Sequence, residues 1–131
     1  MKLSDYTNVM SRILLVYLFI WAGIGKILSY QATAGYMESM HISSYLLPLV
    51  ILLELGGGVA IVLGFLTRFT AIAMAIFSIV AALIFHNDFA KDMQQLMFIK
   101  DISIAGGLFL LASTGPGKLS IDSWIKKKFN K

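Results

Sequence analysis

The sequence predicts an all-α integral membrane protein that folds as a four-helix bundle. Hydrophobic residues make up 58% of the 131 residues and charged residues only 14%, and the mean hydropathy is +0.80. A soluble domain of this size cannot bury so much apolar surface. Four apolar segments of roughly 17–22 residues each have the length that a helix needs to cross a bilayer. Because lipid offers the backbone no hydrogen-bond partners, these segments must be helical.

The four segments together form a single predicted domain over the whole chain. The first covers residues 9–30 and follows a short polar head. The second covers residues 45–66, where Pro48 is tolerated because it falls in the first helical turn. The third and fourth cover residues 69–86 and 96–113.

Polar connections separate these spans. Residues 31–44 are expected to hold a short interfacial helix with Met37 and Met40 on its apolar side. Thr67 and Arg68 are predicted to form the tight turn between the second and third spans. A second short polar loop precedes the fourth span.

A basic tail over residues 118–131 follows the fourth span. The net charge of +4 is concentrated there, in Lys126, Lys127, Lys128 and Lys131. Residues 120–129 are expected to form a surface helix with its apolar side toward lipid and its lysines toward the head groups. This charge pattern favours anionic membrane lipids as partners, and no basic patch with interleaved aromatic residues indicates nucleic-acid binding.

The distribution of basic residues predicts the orientation in the membrane. Four spans place both termini on one side, which also holds the turn between the second and third spans. That side carries eight of the eleven Lys and Arg residues. The excess of positive charge predicts that both termini are cytoplasmic.

The candidate functional residues are the ionisable side chains within the spans. Acids at this depth are rare and usually face the protein interior, a partner or a pathway. The topology places five such side chains in the outer half of the bundle: Lys26, Glu54, His86, Lys100 and Asp101.

The charges of this group sum to zero, because Lys26 and Lys100 balance Glu54 and Asp101. A charge at the bilayer centre costs about 2.5–3.5 kcal/mol on insertion scales, so pairing is expected. We predict that Glu54 pairs with Lys26, Lys100 or both. The resulting cluster either only sets the helix register or forms the polar floor of a head-group site or proton route. Arg12 and Lys26 are expected to extend to opposite interfaces, with an inward Lys26 as the alternative.

Small residues follow Glu54 directly. Gly57 and Gly58 are assigned to the polar cluster, because glycine lets a ligand or another backbone come close. Gly56, Ala60 and Gly64 recur every four residues, roughly 200–280° around the helix from Glu54. This stripe is predicted to pack helices, within the chain or in a homo-oligomer.

Metal and thiol chemistry are not predicted. The chain has no Cys and two His residues, His41 in a connection and His86 at a span end. Zinc sites and haem sites require more ligands or a facing pair at span depth. No nucleophile motif or nucleotide fingerprint is present, so no catalytic residue is assigned and enzymatic activity is left open.

Four stretches of this sequence resemble the DoxX family, in order and over nearly the whole chain. They are FIWAGIGKI at residues 19–27, ELGGG at 54–58, LGFLTR at 63–68 and GPGKLSID at 115–122. The chain is most similar to the small branch in Gram-negative bacteria. The resemblance implies a four-helix protein of the bacterial inner (cytoplasmic) membrane.

The resemblance also implies functional positions. The recurring family positions correspond here to Lys26, Glu54, Gly57, Arg68 and His86. Some members are similar to subunits of a thiosulfate:quinone oxidoreductase or associate with membrane redox enzymes. The resemblance therefore implies quinone as a candidate cofactor and a membrane redox protein as a candidate partner.

Two functional hypotheses follow. In the first, the protein is a quinone-interacting or accessory subunit of a membrane redox system, and Lys26, Glu54 and Lys100 bind the head group. In the second, it is a non-enzymatic membrane scaffold, assembly factor or small-solute permeability protein, which the lack of redox ligands favours. A homo-oligomer through the small-residue stripe is compatible with either.

Overall fold

The computed structural model describes residues 2–88 and 90–129, and within them it contains helices and no strand. The helices, in chain order, are α1 (Leu3–Leu28), α2 (Tyr30–Ser39), α3 (Ser44–Leu63), α4 (Thr67–Phe85), α5 (Asp92–Thr114) and α6 (Ile121–Phe129). Four of these, α1, α3, α4 and α5, are long and apolar enough to cross a membrane. The predicted all-α membrane bundle is confirmed. Lys131 of the basic tail lies outside the described residues.

Two antiparallel helix pairs build the bundle. The largest contact joins α4 to α5, and α1 packs along α3. The core between them combines bulky apolar residues with alanines. This is expected in a membrane, where the hydrophobic effect does not drive helices together and small residues let the helices pack closely. Its buried members are Val16, Phe19, Ile61, Ala71, Met74, Ala75, Ala105, Leu108 and Leu111.

The turn between the second and third spans differs from the prediction. Gly64 ends α3 in the left-handed region, with φ of 74°, which glycine adopts without strain. Thr67 and Arg68 already belong to the first turn of α4. The tight turn therefore lies at residues 64–66, and the prediction that placed it at Thr67 and Arg68 is wrong.

The second span contains a π-helical turn at Leu52–Gly56, between α-helical segments at Leu47–Ile51 and Gly57–Leu63. Such a turn holds one residue more than an α-helical turn and often lies at functional sites. Glu54 sits in this turn and is only 4% exposed. This turn interrupts the α-helical periodicity. The angular positions calculated from Glu54 for later residues of the helix, at about 100° per residue, therefore do not apply beyond the turn.

Of the two roles predicted for Gly57 and Gly58, close approach of a ligand or of another part of the protein, the structure shows the second. A Cβ on Gly58 would lie 2.6 Å from Ile20 Cγ1 of α1, and one on Gly57 would lie 2.9 Å from Met74 Sδ of α4. Gly56 is exposed and would meet only Leu52 of its own helix. Gly58 therefore lies at a close contact with α1, and Gly57 lies at a close contact with α4. The predicted packing stripe does not form one surface, because Gly56 faces outward, Ala60 is half-buried and Gly64 ends the helix.

We expect Gly58→Ala to destabilise the bundle by about 1–3 kcal/mol, because the new methyl group overpacks the contact with Ile20. The measurement is unfolding of the purified protein by sodium dodecyl sulfate in mixed micelles. Gly56→Ala is the matched control and should be neutral or slightly stabilising, since alanine favours a helix over glycine. Equal losses for the two variants would contradict the assigned contact.

Candidate functional site

A pocket of about 530 Å³ opens among the spans in the half of the bundle opposite the termini. Its walls come from α1, α3, α4 and α5, and most of the lining side chains are apolar. Three phenylalanines, Phe19, Phe77 and Phe85, contribute aromatic surface. This volume lies within the range of about 300–1,000 Å³ that is typical of small-molecule sites.

The short helix α2 forms the outer part of the pocket wall. Thr33, Tyr36 and Met37 face the pocket, and the Tyr36 ring lies 5.7 Å from that of Phe85 between centroids. Met37 is only 5% exposed, in agreement with its predicted place on the apolar side of this helix. Thus α2 packs onto the bundle and contributes to the pocket wall.

The first polar group in the wall is the Lys26–Glu54 ion pair. Lys26 Nζ, at the end of α1, lies 2.8 Å from Glu54 Oε1. Of the two basic partners predicted for Glu54, Lys26 and Lys100, the structure shows Lys26. The Lys26 side chain turns inward instead of extending to the interface.

The second polar group joins His86 to Asp101. His86 Nε2 lies 3.6 Å from Asp101 Oδ2 and forms an ion pair when the imidazole is protonated. The other ring nitrogen, Nδ1, lies 3.2 Å from Gln94 Oε1. The Ser78 hydroxyl donates to the backbone carbonyl of Asp101 at 2.9 Å. This network connects the end of α4 with the first half of α5 at the pocket.

Three residues assigned to the polar cluster lie elsewhere. Lys100 is half-buried on α5 but is absent from the pocket wall, and no ion pair joins it to Glu54 in the described ranges. Gly57 and Gly58 also lie outside the wall, at the helix contacts described above. The physical reason is helix rotation, which brings Asp101 to the pocket and turns its neighbour Lys100 away.

A further buried charge, Arg12, lies at the opposite end of the bundle. Arg12 is 1% exposed as a residue, and its guanidinium donates to the carbonyls of Ile61 at 3.0 Å and Val62 at 2.9 Å, and also to that of Leu119. The prediction that Arg12 extends to the interface is wrong. Carbonyls at the end of α3 lack helical partners and attract a cation.

Arg68 and Asp122 extend this polar network. Arg68 Nη1 donates to the carbonyls of Ala112 and Ser113 at 3.1 and 2.9 Å, at the end of α5. The Asp122 carboxylate accepts from the backbone N–H groups of Leu66 and Thr67 at 2.7 and 2.8 Å. Sequence reasoning did not predict these contacts. The sequence did contain a signal for them. The segments LGFLTR and GPGKLSID lie at helix ends, and they contain this arginine and this aspartate.

No group of three or more His, Asp or Glu residues suited to a metal ion occurs within residues 2–88 and 90–129. The polar groups of the pocket are instead two acid–base pairs. They can hold hydrogen-bonding groups of a ligand whose remainder contacts apolar walls.

Comparisons with known proteins identify the family. The family model described as DoxX matches residues 8–87. Inner membrane protein YqjF of Escherichia coli is 52% identical over 128 residues, 98% of this chain and 98% of that protein. Inner membrane protein YphA of the same organism is 35% identical over 121 residues, 87% of this chain and 86% of that protein.

A more distant similarity connects this chain to a eukaryotic protein. The Surfeit locus protein 4 homolog of Schizosaccharomyces pombe is 28% identical over 130 residues, which are 94% of this chain and 38% of that protein. No solved structure matches the chain. The family match, the two bacterial relatives and the four spans show that this chain is an inner membrane protein that belongs to the DoxX family.

Proposed function

We propose that this protein binds a quinone in the pocket among its spans and acts as an accessory subunit of a membrane redox system. The observation that carries the proposal is an apolar pocket with two acid–base pairs in its wall, Lys26–Glu54 and His86–Asp101. An isoprenoid quinone matches this chemistry, because a flat head group with two carbonyl oxygens is joined to an apolar tail.

The residues in the wall fit both oxidation states of such a head group. The Lys26 ammonium at the end of α1 and the His86 imidazole directly after α4 are hydrogen-bond donors in the wall, suited to two carbonyl oxygens. The Glu54 carboxylate, which also lines the pocket, can accept from the hydroxyl of a reduced quinone. The phenylalanines of the wall provide surfaces for a flat ring.

The role of this chain is to bind, orient and shield the head group. A quinone supplies two-electron redox chemistry when it is bound, and a membrane redox partner exchanges the electrons. We place both termini in the cytoplasm, as the basic residues predict, so that the pocket lies toward the outer face of the membrane.

The test is to quantify ubiquinone and menaquinone in solvent extracts of protein purified in mild detergent without added quinone. We expect close to one quinone per wild-type chain. Glu54→Gln should retain about tenfold less, because a lost hydrogen bond to a charged group is worth about 1.5–3 kcal/mol. Asp88→Asn is the matched control, since Asp88 is exposed and lies outside the pocket wall.

An absence of quinone from well-folded wild-type protein would contradict the proposal. It would favour the second hypothesis, a non-enzymatic scaffold, assembly factor or permeability protein. Equal quinone content in wild type and Glu54→Gln would show that the quinone binds away from this pocket.

A further inference from the structure

A second cleft, of about 450 Å³, lies at the end of the bundle that holds the termini. It is bounded by the turn at residues 64–66, the start of α4, the loop after α5 and the helix α6. Two cationic side chains, Arg68 and Lys126, line it together with the polar side chain of Ser123. The cleft is separate from the pocket proposed to bind quinone and shares no lining residue with it.

Specific contacts hold α6 against the bundle and thereby create the cleft. The Asp122 N–H donates to the carbonyl of Gly64 at 2.8 Å, while its carboxylate caps the start of α4. Arg12 binds the carbonyl of Leu119, just before α6. Lys126 therefore stands in a defined position at the cleft that Arg68 also lines.

The cleft carries an excess of positive charge. Arg68 and Lys126 outnumber the acid Asp122 in the wall, and Arg68 donates to the neutral carbonyls of Ala112, Ser113 and Thr114. Asp122 is the acid in the wall, and its two oxygens already accept backbone N–H groups. No ion pair to Arg68 or Lys126 is found in the described part of the chain.

Apolar side chains flank these cations on the side of the spans. Phe69 and Leu66, in the cleft wall, are 74% and 54% exposed. Exposed aromatic residues next to cations are typical of the membrane interface, where acyl chains meet phosphate groups. The combination matches a single molecule that carries both a phosphate and apolar chains.

We propose that this cleft binds the phosphate of an anionic membrane phospholipid through Arg68 and Lys126, with the acyl chains along Phe69. A guanidinium and an ammonium bind phosphate oxygens by charge-assisted hydrogen bonds. The membrane is the source of the ligand because the cleft lies at the ends of the spans α3, α4 and α5 and presents apolar surface beside its cations.

The test compares two variants that remove the same charge from neighbouring exposed positions of α6. Lys126 lines the cleft and Lys127 does not. Delipidated wild type, Lys126→Gln and Lys127→Gln are titrated with phosphatidylglycerol or phosphatidylcholine in detergent, and bound lipid is counted by native mass spectrometry. We expect wild type to prefer phosphatidylglycerol, and Lys126→Gln to bind it about fivefold more weakly while Lys127→Gln changes little.

Three outcomes would overturn the proposal. Equal losses for the two variants would mean a diffuse attraction of the basic helix to anionic lipid. Equal binding of both lipids by the wild type would mean that the cleft does not select an anionic phosphate group. Displacement of the lipid by inorganic phosphate at equal concentration would mean that the cleft is a site for free phosphate.

Discussion

Arg12→Met is expected to destabilise the protein by about 3–5 kcal/mol, the larger of the two strongest effects that the structure predicts. Methionine retains the apolar stem but removes every donor, so the carbonyls of Ile61, Val62 and Leu119 lose their partner together. The measurement is the free energy of unfolding by sodium dodecyl sulfate in mixed micelles.

Two controls separate the contribution of the Arg12 hydrogen bonds to the free energy of unfolding from the contribution of its charge. Arg12→Lys keeps the charge but cannot reach three carbonyls at once, so an intermediate loss is expected. Lys118→Met removes an exposed cation from the same end of the bundle and should change stability by less than about 0.5 kcal/mol. A loss for Arg12→Met no larger than that for Lys118→Met would refute the role assigned to Arg12.

Lys26→Met is expected to destabilise the protein by about 1–3 kcal/mol, because it leaves the Glu54 carboxylate buried without its cation. The effect is moderated since the Lys26 side chain is 28% exposed, whereas that of Glu54 is 6% exposed. The double variant Lys26→Met/Glu54→Gln removes both charges and should recover most of the loss. The same unfolding assay provides the complete double-mutant cycle.

The exposed pair formed by Lys91 and Asp88 provides a matched comparison. Its side chains are 73% and 52% exposed at an N–O distance of 3.8 Å. Lys91→Met should therefore change stability by less than about 0.5 kcal/mol. If the double variant at Lys26 and Glu54 lost the full sum of the single losses, the two groups would not be energetically coupled, and the ion pair would not explain why Glu54 is buried.

The sequence was sufficient to predict the all-α membrane class and four helices long and apolar enough to span a membrane. Span length and hydropathy are local properties, and the requirement for internal backbone hydrogen bonds leaves helices as the outcome for each span. Charge balance then predicted that Glu54 finds a basic partner at similar depth. The ionic partner in the structure is Lys26.

By itself, then, the sequence determined the class of fold and the half of the bundle in which the pocket lies. Only the tertiary structure decided which side chains meet there, because helix rotation depends on contacts between distant segments. The π-turn at Leu52–Gly56 changes the periodicity after Glu54, and Gly58 faces Ile20 instead of a ligand. The inward orientation of the Arg12 side chain likewise depends on the carbonyl of Leu119. Leu119 is distant in the sequence and is brought near by the packing of α6 against the bundle.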